Sequence, residues 1–177
     1  MIFSANYQTS GILVLLNEDC ILKSFCPLIP LKESIVQGLL MLGAQTKEMC
    51  LALSDEDLVR AGVPVSLTGL FRRFLRLYDY KGKGAKDIPD TENKTPEEIA
   101  SLIELMHLPG VKAVRADLYL KCGLTSLKDF ASWEADKLLK HIESVIKANA
   151  LPQLRPYPKE IRTQIAVAKV FTEYSVL

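Results

Sequence analysis

The sequence predicts an all-α protein built as two tandem helical units of about 80 residues each. Three observations carry that expectation. Helix-start signals stand directly before apolar residues at i, i+3 and i+4 spacing, most clearly at Thr95-Pro96-Glu97-Glu98 ahead of Ile99, Leu102, Ile103 and Met106. Glycines stand where apolar stripes end, as at Gly43 and Gly123. No stretch alternates apolar and polar residues for long enough to make a half-buried strand.

Taken in chain order, Gly11 to Leu16 reads as a strand by composition, but the internal repeat of the two halves places it in a helix. Ala61-Gly62-Val63-Pro64 is a turn leading into a helix whose buried stripe is Leu67, Leu70, Phe71, Phe74 and Leu77, leaving Arg72, Arg73 and Arg76 toward solvent. The polar, Gly- and Lys-rich stretch KGKGAKDIPDTENKT separates the halves. A helix then runs from Thr95 to near His107, and a second from about Ala113 to Cys122, stopped by Gly123. Leu124-Thr125 opens a short helical stretch through Phe130. Ser132 is expected to cap a long helix with the stripe Ala135, Leu138, Leu139, Ile142, Val145 and Ile146. After Pro152, Pro156 and Pro158, a last helix carries Ile161, Ile165, Ala168, Phe171 and Tyr174.

The two halves keep step. Shifted by 80 residues, Leu22 meets Leu102, Leu28 meets Leu108, Lys32 meets Lys112, Leu40 meets Leu120 and Gly43 meets Gly123; with small slips, Thr46 meets Thr125 and Ser54 meets Ser132. The expected organisation is an N-terminal helical unit over 1–80, a linker over 81–94 and a C-terminal unit over 95–177.

Composition narrows the function classes. With 22 basic and 21 acidic side chains the net charge is +1, so no global field steers the chain onto a polyanion, and any anion site is local. The apolar run Ile12 to Leu16 is too short to span a membrane and follows no basic leader, which gives a cytoplasmic location and no membrane partner as the expectation. Cys20, Cys26, Cys50 and Cys122 lack Cys-x-x-Cys spacing and sit among apolar neighbours, as buried reduced thiols do. His107 and His141 stand alone. With no phosphate-cradling loop, metal cluster or nucleophile-base pattern in local sequence, the chain reads as non-enzymatic, with no cofactor and no metal.

The informative stretch is Leu108-Pro109-Gly110-Val111-Lys112 with a small residue, Ala116, four positions on. A short turn feeding a helix start gathers free N–H groups and the positive end of the helix dipole, and a glycine there lets a phosphate come close. The longer segment LPGVKAVRADLYLKCGLTSLKDF resembles the helix-hairpin-helix superfamily, including the DNA-binding hairpins of family X DNA polymerases. It looks most like bacterial domain-of-unknown-function proteins made of such units. The resemblance implies contact with the DNA phosphate backbone without sequence readout. Gly110, Val111 and Lys112 would then supply the turn, with Lys112 and Arg115 approaching a phosphate. Many members carry a second glycine where this chain has Lys112, whose bulk crowds the approach and whose ammonium partly replaces the lost contact.

A second candidate is Gly62-Val63-Pro64, where Pro64 removes one N–H from the turn. The other two positions that the internal step marks out, CPLIPLKES and LPQLRPYPKE, hold no glycine. From Arg60 to Lys86 there are seven basic residues against Asp79 alone, and Arg72, Arg73 and Arg76 belong to this patch. Such a patch binds several phosphates in a salt-dependent way. Against this, the segment from Asp87 to Glu104 carries six carboxylates and one lysine, enough to neutralise the patch within the chain. The segment LSDEDLVRAGVPVSLTGLFRRFLRL also resembles sterile-alpha-motif (SAM) domains, which implies a protein partner or a second copy of the chain. Nucleic-acid binding, protein interaction and a purely architectural corner therefore stand side by side at the level of sequence.

Overall fold

A computed structural model describes residues 7–19, 23–78, 84–151 and 154–174. Cys20, Leu22, Pro152 and residues 79–83 of the sequence reading lie outside the described residues. Among the described residues, ten α-helices and four 3-10 segments account for the regular structure, and the sole β pairing is an isolated bridge between Gln8 and Thr46. The chain divides into two compact units, residues 7–78 with 173–174, and residues 84–172.

In the first unit α1 (Thr9–Asp19) is followed by a 3-10 segment (Lys23–Leu31), α2 (Lys32–Met41), α3 (Lys47–Ala52), α4 (Asp55–Arg60), a 3-10 turn (Val65–Leu67) and α5 (Thr68–Leu77). Gly11 to Leu16 is helical, and the start of α1 is tied to the turn before α3. The Thr9 N–H donates to Gln45 O at 3.0 Å, the Lys47 N–H donates to Tyr7 O at 2.9 Å, and the Thr9 hydroxyl donates to Ala44 O at 2.5 Å. Proline at positions 27 and 30 keeps the Lys23–Leu31 segment from becoming a regular helix. Its Phe25 meets Phe74 edge-on at 5.5 Å, and Phe74 in turn meets Tyr78 at 6.3 Å. These rings supply much of the unit's core, and each buried ring contributes about 1.5–3 kcal/mol of transfer free energy. The stripe of α5 is Phe71, Phe74 and Leu75 rather than one including Leu77, which is exposed.

An interior glycine explains how the α4–α5 turn reaches α2. A Cβ at Gly38 would lie 2.2 Å from Ala61 O and 2.6 Å from Ala61 Cα. The two backbones therefore touch, at the helix-propensity cost of about 1 kcal/mol that glycine carries.

In the second unit 3-10 turns at Ala85–Asp87 and Thr91–Asn93 lie within the stretch read as a linker, and Ile88 between them is buried. Then come α6 (Pro96–Leu105), α7 (Ala113–Lys121), α8 (Leu127–Ala131), α9 (Ala135–Ala148) and α10 (Pro158–Tyr174). The Thr95 capping box is present in full: Thr95 Oγ1 accepts from the Glu98 N–H at 3.1 Å and Glu98 accepts from the Thr95 N–H at 2.8 Å. Gly123 takes φ +79° after α7, and Gly43 takes +74° after α2. Residues on α7 and α8 join in the core, where Tyr119 meets Phe130 edge-on at 4.9 Å. Helix α10 is buried on nearly every side, from Ile161 through Phe171.

One cap assignment changes. Ser126 caps α8, accepting from the Asp129 N–H at 3.1 Å, while Thr125 donates to the Asp129 carboxylate. Ser132 does not cap α9; its hydroxyl donates to Asp129 O at 2.6 Å, closing α8, and Glu134 holds the cap position without a side-chain bond. With these positions Thr46 and Ser126, and Ser54 and Glu134, are the cap pairs in step at 80 residues. The step holds only for α2 to α4 against α7 to α9, since α1 begins at Thr9 and α6 at Pro96, and α5 at Thr68 and α10 at Pro158.

Candidate functional site

The stretch Leu108 to Lys112 turns between α6 and α7 as the sequence predicts. Pro109 and Gly110 occupy the two central positions of a β-turn closed by the Val111 N–H donating to Leu108 O at 3.1 Å, and Gly110 takes φ +72°. Proline first and a left-handed glycine second are the requirements of a type II turn. Leu108 and Val111 are buried and pin both ends of the turn, so Val111 serves the site through its backbone position rather than its side chain. A Cβ at Gly110 would meet nothing within 4 Å. Glycine is thus needed there for its φ and not for lack of room.

Beyond the turn, Lys112 is the exposed N-cap residue of α7, in extended conformation, and its carbonyl accepts from the N–H groups of Arg115 and Ala116 at 2.9 Å. The N–H groups of Gly110, Lys112, Ala113 and Val114 donate to no acceptor among the described residues. Ala116 is fully buried, which accounts for the small residue at that position.

Arg115, expected to approach a phosphate, is directed elsewhere. Its guanidinium lies 3.7 Å from the Glu160 carboxylate. Burial pushes the Tyr119 phenol up to about 12, with Arg115 pulling the other way, so it remains a hydrogen-bond donor at neutral pH. Its hydroxyl donates to Gln164 Oε1 at 2.7 Å, and Gln164 Nε2 donates to Pro109 O at 3.1 Å. Neither Tyr119 nor Gln164 stands out as functional in the sequence. The available signal is Gln164 itself, a polar residue on an apolar helix face, three residues after Ile161.

In the first unit, Gly62 takes φ +94° and Val63 is buried. Here the turn's own N–H groups are committed: Gly62 donates to Val59 O at 2.9 Å and Val63 to Leu58 O at 3.0 Å, while Pro64 has none to offer. The N–H groups of Val65 and Ser66 donate to no acceptor among the described residues.

The three arginines of α5 part company. Arg72 does not face solvent: Nε donates to Asp55 Oδ1 at 2.9 Å, and its two terminal nitrogens donate to Leu51 O at 3.1 Å and Leu53 O at 2.6 Å. It is a clasp that ties α5 to the α3–α4 junction. Arg73 is exposed, with its guanidinium 5.7 Å from the Phe25 ring centre, and Arg76 is exposed. The basic surface of the helix is therefore two side chains rather than three.

Of the described cysteines, Cys50 and Cys122 are buried, and burial pushes each thiol up to about 11. Cys26 is exposed, contrary to the expectation from its apolar neighbours, because the proline-containing 3-10 segment buries Phe25 and Leu28 and turns Cys26 outward. Among the described residues no three His, Cys, Asp or Glu side chains gather as metal ligands, and no helix is long and apolar enough to cross a membrane.

The chain matches no family model, no curated protein and no solved structure. The turn at Gly110 combines four N–H groups without a protein acceptor among the described residues, a helix start and the exposed Lys112, a set suited to a tetrahedral anion.

Proposed function

We propose that this chain is a non-enzymatic protein of tandem helix-hairpin-helix, SAM-like units that binds nucleic acid, DNA in particular, through its phosphate backbone and without reading sequence. The observation that carries the reading is the row of uncommitted N–H groups at Gly110, Lys112, Ala113 and Val114 on a turn with no side chain over it. A phosphate oxygen accepts from these donors, the α7 dipole adds a favourable field, and the Lys112 ammonium supplies one counter-charge. Base edges play no part, so binding is sequence-independent. With few cations engaged, the salt dependence is shallow, about one to two in the slope of log K against log salt.

The test is fluorescence anisotropy of a labelled duplex at two salt concentrations with wild-type protein and Lys112→Glu. An acidic residue at the start of α7 suits the helix dipole, so this variant stays folded while repelling phosphate. Wild-type binding that weakens with salt, and a loss of at least about tenfold in the variant, support the reading. Equal binding by both proteins, or none by either at low salt, overturns it.

One observation favours a second reading for the first unit. Val65, directly after the Gly62 turn, is 74% exposed, and Met41 at the end of α2 is 87% exposed. Large apolar side chains left in water suit a protein partner or a second copy of the chain. Sedimentation of wild type and Val65→Ser/Met41→Ser decides it: a wild-type dimer dissociated by the two changes supports self-association, and a monomer at all concentrations opposes it.

A further inference from the structure

The peptide unit between Pro109 and Gly110 is the one that differs between type I and type II turns. Its carbonyl and its N–H point in opposite directions because the peptide is planar and trans. In this structure the carbonyl end is held: Gln164 Nε2 donates to Pro109 O at 3.1 Å. Gln164 is 3% exposed, and its amide is oriented by the Tyr119 hydroxyl, which donates to Gln164 Oε1 at 2.7 Å. The other end of the same peptide is the Gly110 N–H, which faces no protein acceptor among the described residues.

The pairing extends along both helices. Arg115 and Tyr119 are four residues apart on α7, Glu160 and Gln164 four apart on α10, and they meet two by two. Residues at i and i+4 share one helix face, so the two faces lie against each other in matched register. Gln164 is the member whose reach extends past α7 to the turn itself.

We propose that Gln164 is a positioning residue that fixes which way the Pro109–Gly110 peptide faces, turning the Gly110 N–H outward for an anion. The inference rests on the phosphate reading above only for the use made of that N–H. Tyr119 acts one step behind, by setting which end of the Gln164 amide meets the carbonyl. A side chain of equal length with no polar end keeps the packing and loses both bonds.

The experiment compares wild type, Gln164→Met and Tyr119→Phe by two-dimensional amide NMR, with a labelled duplex titrated into each. In Gln164→Met the Gly110 cross-peak moves or broadens as the peptide samples both orientations, while those of Leu138 and Ile142 in α9 hold their positions. Tyr119→Phe moves the Gly110 peak less, since the bond to Pro109 O survives. Duplex affinity falls about fivefold to tenfold in Gln164→Met, the size of one hydrogen bond. An unmoved Gly110 peak overturns the inference, as does a shift spread over the whole unit, which would make Gln164 a packing residue. A moved peak with unchanged affinity overturns it as well. If the wild type binds no duplex, the phosphate reading fails, and the Gly110 peak alone still decides what Gln164 does to the turn.

Discussion

The turns at Gly62 and Gly110 share an outline and differ in what stands behind them. Each follows a helix, carries a left-handed glycine and a buried valine, and feeds a new helical start. Behind Gly62 the support is backbone on backbone, Ala61 against Gly38, and the turn closes on itself by donating the N–H groups of Gly62 and Val63 to α4 carbonyls. Behind Gly110 the support is a side chain, Gln164, which grips a carbonyl and leaves the N–H of the same peptide unused. A turn stabilised through its own donors has fewer left for a ligand. One stabilised through an acceptor keeps them.

The largest test of this contrast is steric. Gly38→Ala is expected to cost the first unit about 3 kcal/mol, because a Cβ 2.2 Å from a carbonyl oxygen forces the backbones apart. Gly110→Ala, with open space at the Cβ position and φ +72°, is expected to cost the second unit only about 1–2 kcal/mol of backbone strain. Urea unfolding of both variants measures the two losses, and equal values would erase the distinction.

Next in size is the pair Arg72→Ala and Arg76→Ala. Removing Arg72 leaves the Leu51 and Leu53 carbonyls without their donor and is expected to lower stability by about 2 kcal/mol with no change in duplex affinity. Arg76→Ala is expected to stay within about 0.5 kcal/mol of wild type. A large affinity loss in Arg72→Ala would return that residue to the binding surface.

A smaller effect is expected from Glu160→Gln, which releases Arg115 from its carboxylate partner. Duplex affinity should rise about threefold and the salt slope steepen by about one, as one more cation becomes free for phosphate. Unchanged anisotropy titrations would mean that the released Arg115 does not reach the phosphate.

The least divisive prediction concerns acid, because both units share the device. The Ser54 hydroxyl, the Arg60 guanidinium and the Ser54 N–H hold the Asp57 carboxyl below its ordinary 3.8. Burial raises Asp129, and the bonds from Thr125 and Ser126 outweigh it to leave that carboxyl low as well. Such groups stabilise the fold fully above 3.8 and lose that contribution as pH falls below it. Circular dichroism should show both units losing stability in that window, with Asp57→Asn and Asp129→Asn flattening the response.

Local signals in the sequence located the helices well wherever a cap, a stripe and a stop agreed, as from Thr95 to Gly123. They place the start of α9 too early, because Ser132 is a good cap by type but closes α8 instead, leaving Glu134 at the cap position. The Gly110 turn was legible, since its glycine and proline act within four residues. Its support was not, because Gln164 lies 55 residues away along the chain. Arg72 shows the same limit in reverse. A helical wheel places it with Arg73 and Arg76 outside, and only the carbonyls at the end of α3 draw it in. Cys26 turns outward despite its apolar neighbours, because an irregular 3-10 segment does not turn neighbours to one side.

The separation of 55 positions along the chain from Pro109 to Gln164 also sets an order of events. A chain made from its N-terminus completes the turn well before the residue that holds it, and joining the two carries the entropy cost of closing a long loop. The turn at Gly110 therefore passes through a period in which α6 and α7 exist but the peptide between them is free to face either way. Its final orientation is written by α10, so the last part of the unit to be synthesised matures a surface made much earlier.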